Sequence, residues 1–135
     1  MGLFLLLLYN LKITKRRLFT NAIIYPSKNK YMLAKFQFKA KIWLYDGHAA
    51  WHFLTVDSKT SKAIKSTQNG PRRGWGSIRV TAEIGKTTWE TSIFPDKKEV
   101  YLLPIKSVVR KKENISAGDT ITCTLIIEIK EPDIN

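Results

Sequence analysis

The chain has 135 residues with 44% apolar side chains, enough for one domain with its own core, too few for two, and too apolar for wholesale disorder. Its single cysteine, Cys123, excludes an intramolecular disulfide and any cysteine-held zinc or iron–sulfur centre, and fits a reducing cytoplasm. The net charge of +12 invites anionic partners, yet half of it sits in residues 1–31, where Lys12, Lys15, Arg16, Arg17, Lys28 and Lys30 stand without one acid.

In residues 32–135, 17 basic residues face 11 acidic ones. That balance is an ordinary solubility charge, which assists polyanion binding without implying it. The N-terminal apolar run from Leu3 to Tyr9 would span ~10 Å as a helix against ~30 Å of bilayer hydrocarbon, too short to cross. Its basic cluster follows the apolar run instead of preceding it, which is the wrong order for a secretory signal. Three roles remain open for residues 1–31: an interfacial anchor, an extension packed on the domain, or sequence upstream of a natural start at Met32. Met32 is the expected start because it stands immediately before the first well-patterned strand. Pro26 to Lys30 reads as a linker, and residues 32–135 read as a single domain.

From Ala34 to Tyr45 the chain alternates. Phe36, Phe38, Ala40, Ile42 and Leu44 share one face, and Lys35, Gln37, Lys39, Lys41 and Trp43 share the other, as in a half-buried strand. Asp46-Gly47 marks a turn, and residues 50–56 form a second strand. Asp57 or Ser58 then caps a short helix through Gln68, whose apolar content of Ala63 and Ile64 places it on the surface. Next, Ile78, Val80, Ala82 and Ile84 alternate up to Gly85-Lys86, a two-residue loop suited to a type II′ turn. Such a turn sets Ala82 opposite Trp89 and Ile78 opposite Ile93, small against large. A strand over residues 99–105, a short helix over 106–114 and a last strand bearing Ile121, Cys123, Leu125, Ile127 and Ile129 on one face complete the pattern. Together these elements predict a mainly β fold: a small, partly open, six-stranded, largely antiparallel β-barrel with two short helices.

Three phrases, "GWGSIRVTAEIGKTTWETSIFP", "YLLPIKSVVRKKENI" and "AGDTITCTLII", stand in an order and spacing that resemble the family catalogued as domain of unknown function nineteen-oh-five. The resemblance covers about residues 34–130 and has no counterpart for residues 1–31. It implies a partly open six-stranded barrel. It brings neither an activity nor catalytic residues.

Gly85-Lys86-Thr87 ends like a phosphate-binding loop, but Val80 stands where that motif needs glycine, and the residues sit inside a hairpin. His48 and His52, four apart, would lie ~13 Å apart on a strand and make no metal pair. Cys123 falls on an apolar alternation and reads as an inert buried thiol. No catalytic residue, metal ligand or cofactor is implied. What remains is basic and aromatic. Arg72, Arg73 and Trp75 precede a strand on a glycine-rich loop, while Lys106 and Arg110 share a helix face with Lys111 beside them. Gly74 and Gly76 are accounted for by the turn that starts the strand. In the plainer reading Trp75 packs over the barrel mouth and the cations solvate its rim. In the functional reading the two groups form a rim that grips an anion and stacks a base or sugar. The expectation is a non-catalytic binding domain for an anionic small molecule or partner. Nucleic-acid binding is one alternative and an enzyme with a barrel-end cleft is another; the protein is expected as a monomer or homodimer.

Overall fold

The computed structural model describes residues 16–18, 22–26, 31–47, 49–68 and 76–130. Nine strands and two helices run through them. The strands are β1 (Arg16–Leu18), β2 (Ala22–Pro26), β3 (Tyr31–Lys41), β4 (Trp43–Leu44), β5 (His52–Thr55), β6 (Ile78–Ile84), β7 (Thr87–Pro95), β8 (Tyr101–Pro104) and β9 (Thr120–Lys130). The helices are α1 (Ser58–Ser66) and α2 (Ser107–Glu113). The strands form one sheet in the order β1–β2–β3–β9–β6–β7–β8–β5–β4, antiparallel at each ladder.

The mainly β, antiparallel reading stands, and the barrel expected from the alternation is corrected. The sheet is not closed: its order ends at β1 and β4, with no ladder joining them. Two features account for the difference. Part of the N-terminal segment adds β1 and β2 to β3, with Ile24 placed opposite Ala34 and buried in the core. The long first strand also breaks at Ile42, whose N–H donates to the Asp119 carbonyl at 2.9 Å and whose carbonyl accepts from the Gly118 N–H at 2.8 Å. On one side of the break β3 pairs along β9, and on the other β4 pairs with β5. One bent segment therefore serves both flanks of the curled sheet, and backbone continuity spans what hydrogen bonds leave open.

The period-two pattern sets the core. Met32, Ala34, Phe36, Phe38 and Ile42 from the first strand meet Cys123, Leu125, Ile127 and Ile129 from β9 and Val80, Ala82 and Ile84 from β6. Between β6 and β7, Ala82 lies opposite Trp89, Val80 opposite Thr91 and Ile78 opposite Ile93, as the hairpin register implies. Gly85 takes φ +57, the sign that the first position of a type II′ turn demands. A Cβ there would also meet the Glu113 carboxylate, which accepts a hydrogen bond from Thr87 Oγ1 at 2.6 Å and so ties α2 to the hairpin.

Helix α1 departs from the surface placement expected of it. Thr60, Ser61, Ala63 and Ile64 are all buried. Small hydroxyl residues can face a core when their oxygens bond to backbone. Ser61 Oγ donates to the Val56 carbonyl at 3.0 Å and accepts from the Tyr101 N–H at 3.1 Å. Asp57 caps the helix, accepting from the Thr60 N–H at 2.7 Å and from its hydroxyl at 2.9 Å.

Candidate functional site

The sequence singled out six residues. Arg72, Arg73 and Trp75 lie outside the described residues; beside them, Gly76 takes φ +86, in keeping with the turn that starts β6. Lys106 is the N-cap position of α2, and both Lys106 and Lys111 are exposed. Arg110 is half-buried and turns back on the protein. Its Nε donates to the Ile105 carbonyl at 3.3 Å, and its Nη1 donates to His52 Nε2 at 3.4 Å. An arginine has only donors, so His52 Nε2 is the acceptor there. The proton of the neutral ring sits on Nδ1, which donates to the Ala50 carbonyl at 2.9 Å. Ala50 itself holds φ +48, a left-handed conformation unfavourable for a residue with a Cβ. The contact of Arg110 with His52 thus braces a strained turn, and the next residue after that turn is Trp51.

Trp51 belongs to a group that sequence reasoning missed. Phe53 is its centre. Trp51 stacks on Phe53 with centroids 5.9 Å apart and planes inclined by 19°. Trp43 lies 5.1 Å from Phe53 at 33°, and Tyr45 meets it edge-on at 6.3 Å. The four rings share the outer face because β4 pairs with β5 in a register that sets Trp43 opposite Phe53. Tyr45 and Trp51 extend that pairing, with the Tyr45 N–H donating to the Trp51 carbonyl at 2.7 Å. The indole of Trp43 is held by its Nε1, which donates to Thr55 Oγ1 at 2.9 Å. The rings remain open to solvent: Trp43 is 36% exposed, Tyr45 49% and Trp51 51%. Farther across the sheet, Phe94 is also exposed, opposite Leu102 of β8, which in turn lies opposite Thr55. The available signal was parity. Trp43, Tyr45, Trp51 and Phe53 all occupy odd positions on either side of one turn, so a hairpin of the right register must gather them.

The same parity runs back along β3. Lys35, Gln37, Lys39 and Lys41 occupy the outer face in line with Trp43 and Tyr45, while the even positions from Met32 to Phe38 go to the core. Across the ladder Lys41 faces Thr120 and Lys39 faces Thr122. Among the described residues, neither Lys39 nor Lys41 forms an ion pair. Acids stand around this row: Glu83 of β6 lies on the same outer face, opposite Thr124, which in turn faces Gln37. Asp119 accepts from the Ser116 N–H at 2.9 Å, and Glu128 faces Leu33 towards the other end of β3. Asp46 borders the rings, one residue after Tyr45.

Nucleophilic chemistry at Cys123 is opposed by its surroundings. Burial pushes its thiol from an ordinary 9.0 up to about 12, with a smaller contribution in the same direction from the charge of Glu83 and a lowering one from that residue's backbone hydrogen bond. At neutral pH the sulfur stays protonated. Among the described residues, no group of three or more histidine, cysteine or acidic side chains is placed to hold a metal, and no helix is long and apolar enough to cross a membrane.

Fold and surface together define a small antiparallel β-sheet domain with two helices and a solvent-facing aromatic cluster joined to a row of cations. The chain belongs to the family described as domain of unknown function (DUF1905), whose model matches residues 38–125, well over half of the chain. The matched stretch includes the four clustered rings, Lys39, Lys41 and all of α2. Among curated proteins, none matches at a significant level.

Proposed function

We infer that this protein is a non-catalytic binding domain whose contact surface is the outer face centred on Phe53 and whose partner is anionic. The observation that carries this reading is the exposure of Trp43, Tyr45 and Trp51 while they stack with Phe53. Four large rings gathered on the solvent side of a sheet add nothing to the core and leave apolar area in water, a pattern that marks interaction surfaces. Cations supply the preference for negative charge: Lys39 and Lys41 stand on the outer face of β3, while Lys106, Arg110 and Lys111, at and beside α2, are assigned to the same role on their charge alone. Arg72, Arg73 and Trp75 are assigned to the same role on their chemistry alone, two guanidinium forks and a stacking ring. A single thiol on the inner face suits a reducing compartment, so the protein is placed in the cytoplasm.

Intrinsic tryptophan fluorescence of the full chain, titrated at low salt with heparin, polyglutamate and an oligothymidylate, tests the reading. At least one of these anions is expected to change the emission saturably, and Trp51→Ala is expected to weaken that response. If all three leave the spectrum and the sedimentation behaviour untouched, the inference is wrong.

A further inference from the structure

We propose that the row of Lys39 and Lys41, continuing into Trp43, Trp51 and Phe53, is an interface for single-stranded nucleic acid, with the phosphates running along β3 and the bases stacking on the rings. The proposal rests on the reading of this face as an anion-binding surface and names the anion.

Three features of the site favour that ligand over other polyanions. The first is order. Alternate residues of a strand stand about 6.8 Å apart on one face, so Lys39 and Lys41 follow one another on β3, and Trp43 continues the track beyond the bend at Ile42. That track carries charge at one end and flat apolar rings at the other. An acidic peptide would use the charged end alone, whereas a polynucleotide has a phosphate and a planar base in every unit. The second is geometry. Trp51 and Phe53 present near-parallel rings, and the bond from Trp43 to Thr55 fixes the neighbouring indole, so a stacking platform exists before any ligand arrives. The third is the state of the cations. Lys39 and Lys41 are unpaired among the described residues and lie beside the hydroxyls of Thr122 and Thr120, donors suited to phosphate oxygens. A duplex fits poorly because its bases are stacked internally and cannot reach exposed rings without unpairing. A second copy of this chain is disfavoured by a net charge of +12 on each partner.

The test compares an oligothymidylate of about 16 nucleotides with a duplex of the same length, heparin and polyglutamate, all against the full chain. The single strand is expected to quench the tryptophans and to bind at least tenfold more tightly than the duplex. Trp51→Ala should weaken it by about tenfold or more, the loss of one stacked base. Lys39→Gln combined with Lys41→Gln should lower the slope of log affinity against log salt by about 1.4, the loss of two phosphate contacts on a single strand. These side chains are exposed, and unchanged circular dichroism and melting midpoint would show that the variants keep the fold. The wild-type comparison needs no variant at all. Binding of the duplex, heparin or polyglutamate as tightly as the single strand would overturn this proposal and leave the anion-binding reading standing. Silence from every probe would overturn both. Concentration-dependent dimerisation that shields Trp51 from a soluble quencher would also overturn it, in favour of self-association.

Discussion

Cys123 sits on β9 with no exposed surface, between Thr122 and Thr124 on a strand whose other inward residues are aliphatic. Because burial raises its folded-state value above the unfolded 9.0, the thiol favours the native state fully below pH 9. That contribution fades as pH climbs from 9 towards 12, since the unfolded chain then releases a proton that the native one keeps. Denaturant midpoints measured from pH 8 to 11 should therefore fall more steeply for the wild type than for Cys123→Ala, and iodoacetamide should label the native thiol only when the protein opens. Rapid native labelling would contradict the burial on which both statements rest. The position was legible from alternation alone, because an apolar side chain every second residue leaves no other place for the sulfur to go.

Elements were legible where the pattern was strictly period-two and less so where polarity misled. The β6–β7 hairpin follows its expected register because Gly85-Lys86 fixes the turn and every inward pair is apolar or small. Helix α1 was expected on the surface because threonine and serine count as polar, yet Ser61 buries its oxygen against the Val56 carbonyl and the Tyr101 N–H, and Thr60 buries its hydroxyl against the Asp57 carboxylate. Its stability should accordingly depend on those oxygens. Asp57→Ala removes a cap that serves both the N–H and the hydroxyl of Thr60, and should cost about 1–2 kcal/mol. Ser61→Ala removes the hydroxyl between Val56 and Tyr101 and should cost about 1–3 kcal/mol, both read from urea midpoints. If neither shifts the midpoint, the helix is not seated as described. The candidate site was legible only in part for a related reason. Lys106, Arg110 and Lys111 announced themselves by charge, whereas Trp43 and Phe53 are neighbours only through pairing across a loop.

Across the whole molecule, support is unequal. β3 has β2 on one side and β9 along its full length on the other, while β4 is two residues long with an open edge. Strands buttressed on both sides open only with the whole fold, and short edge strands open locally. Hydrogen exchange should be slowest at Ala34, Phe36 and Leu125 and fastest, among the sheet residues, at Trp43 and Leu44. Equal protection throughout would show that the open edge is covered in solution. A long strand with one free end is a known hazard for chain-to-chain pairing, and the brevity of β4 limits it.

Ile42 joins these scales. Because the backbone passes through it without changing the alternation, the lysines before it and the rings after it share one numerical rule, odd outward, although Leu44, expected on the core face, is itself exposed beyond the break. Inserting or deleting a single residue between Lys39 and Trp43 would swap that rule for everything on one side of the edit. The indoles would be driven inward, aliphatic side chains outward, and the charged track would end against carbon instead of aromatic rings. Replacing a residue in this stretch alters one side chain, whereas changing its length by one would erase the surface at a stroke.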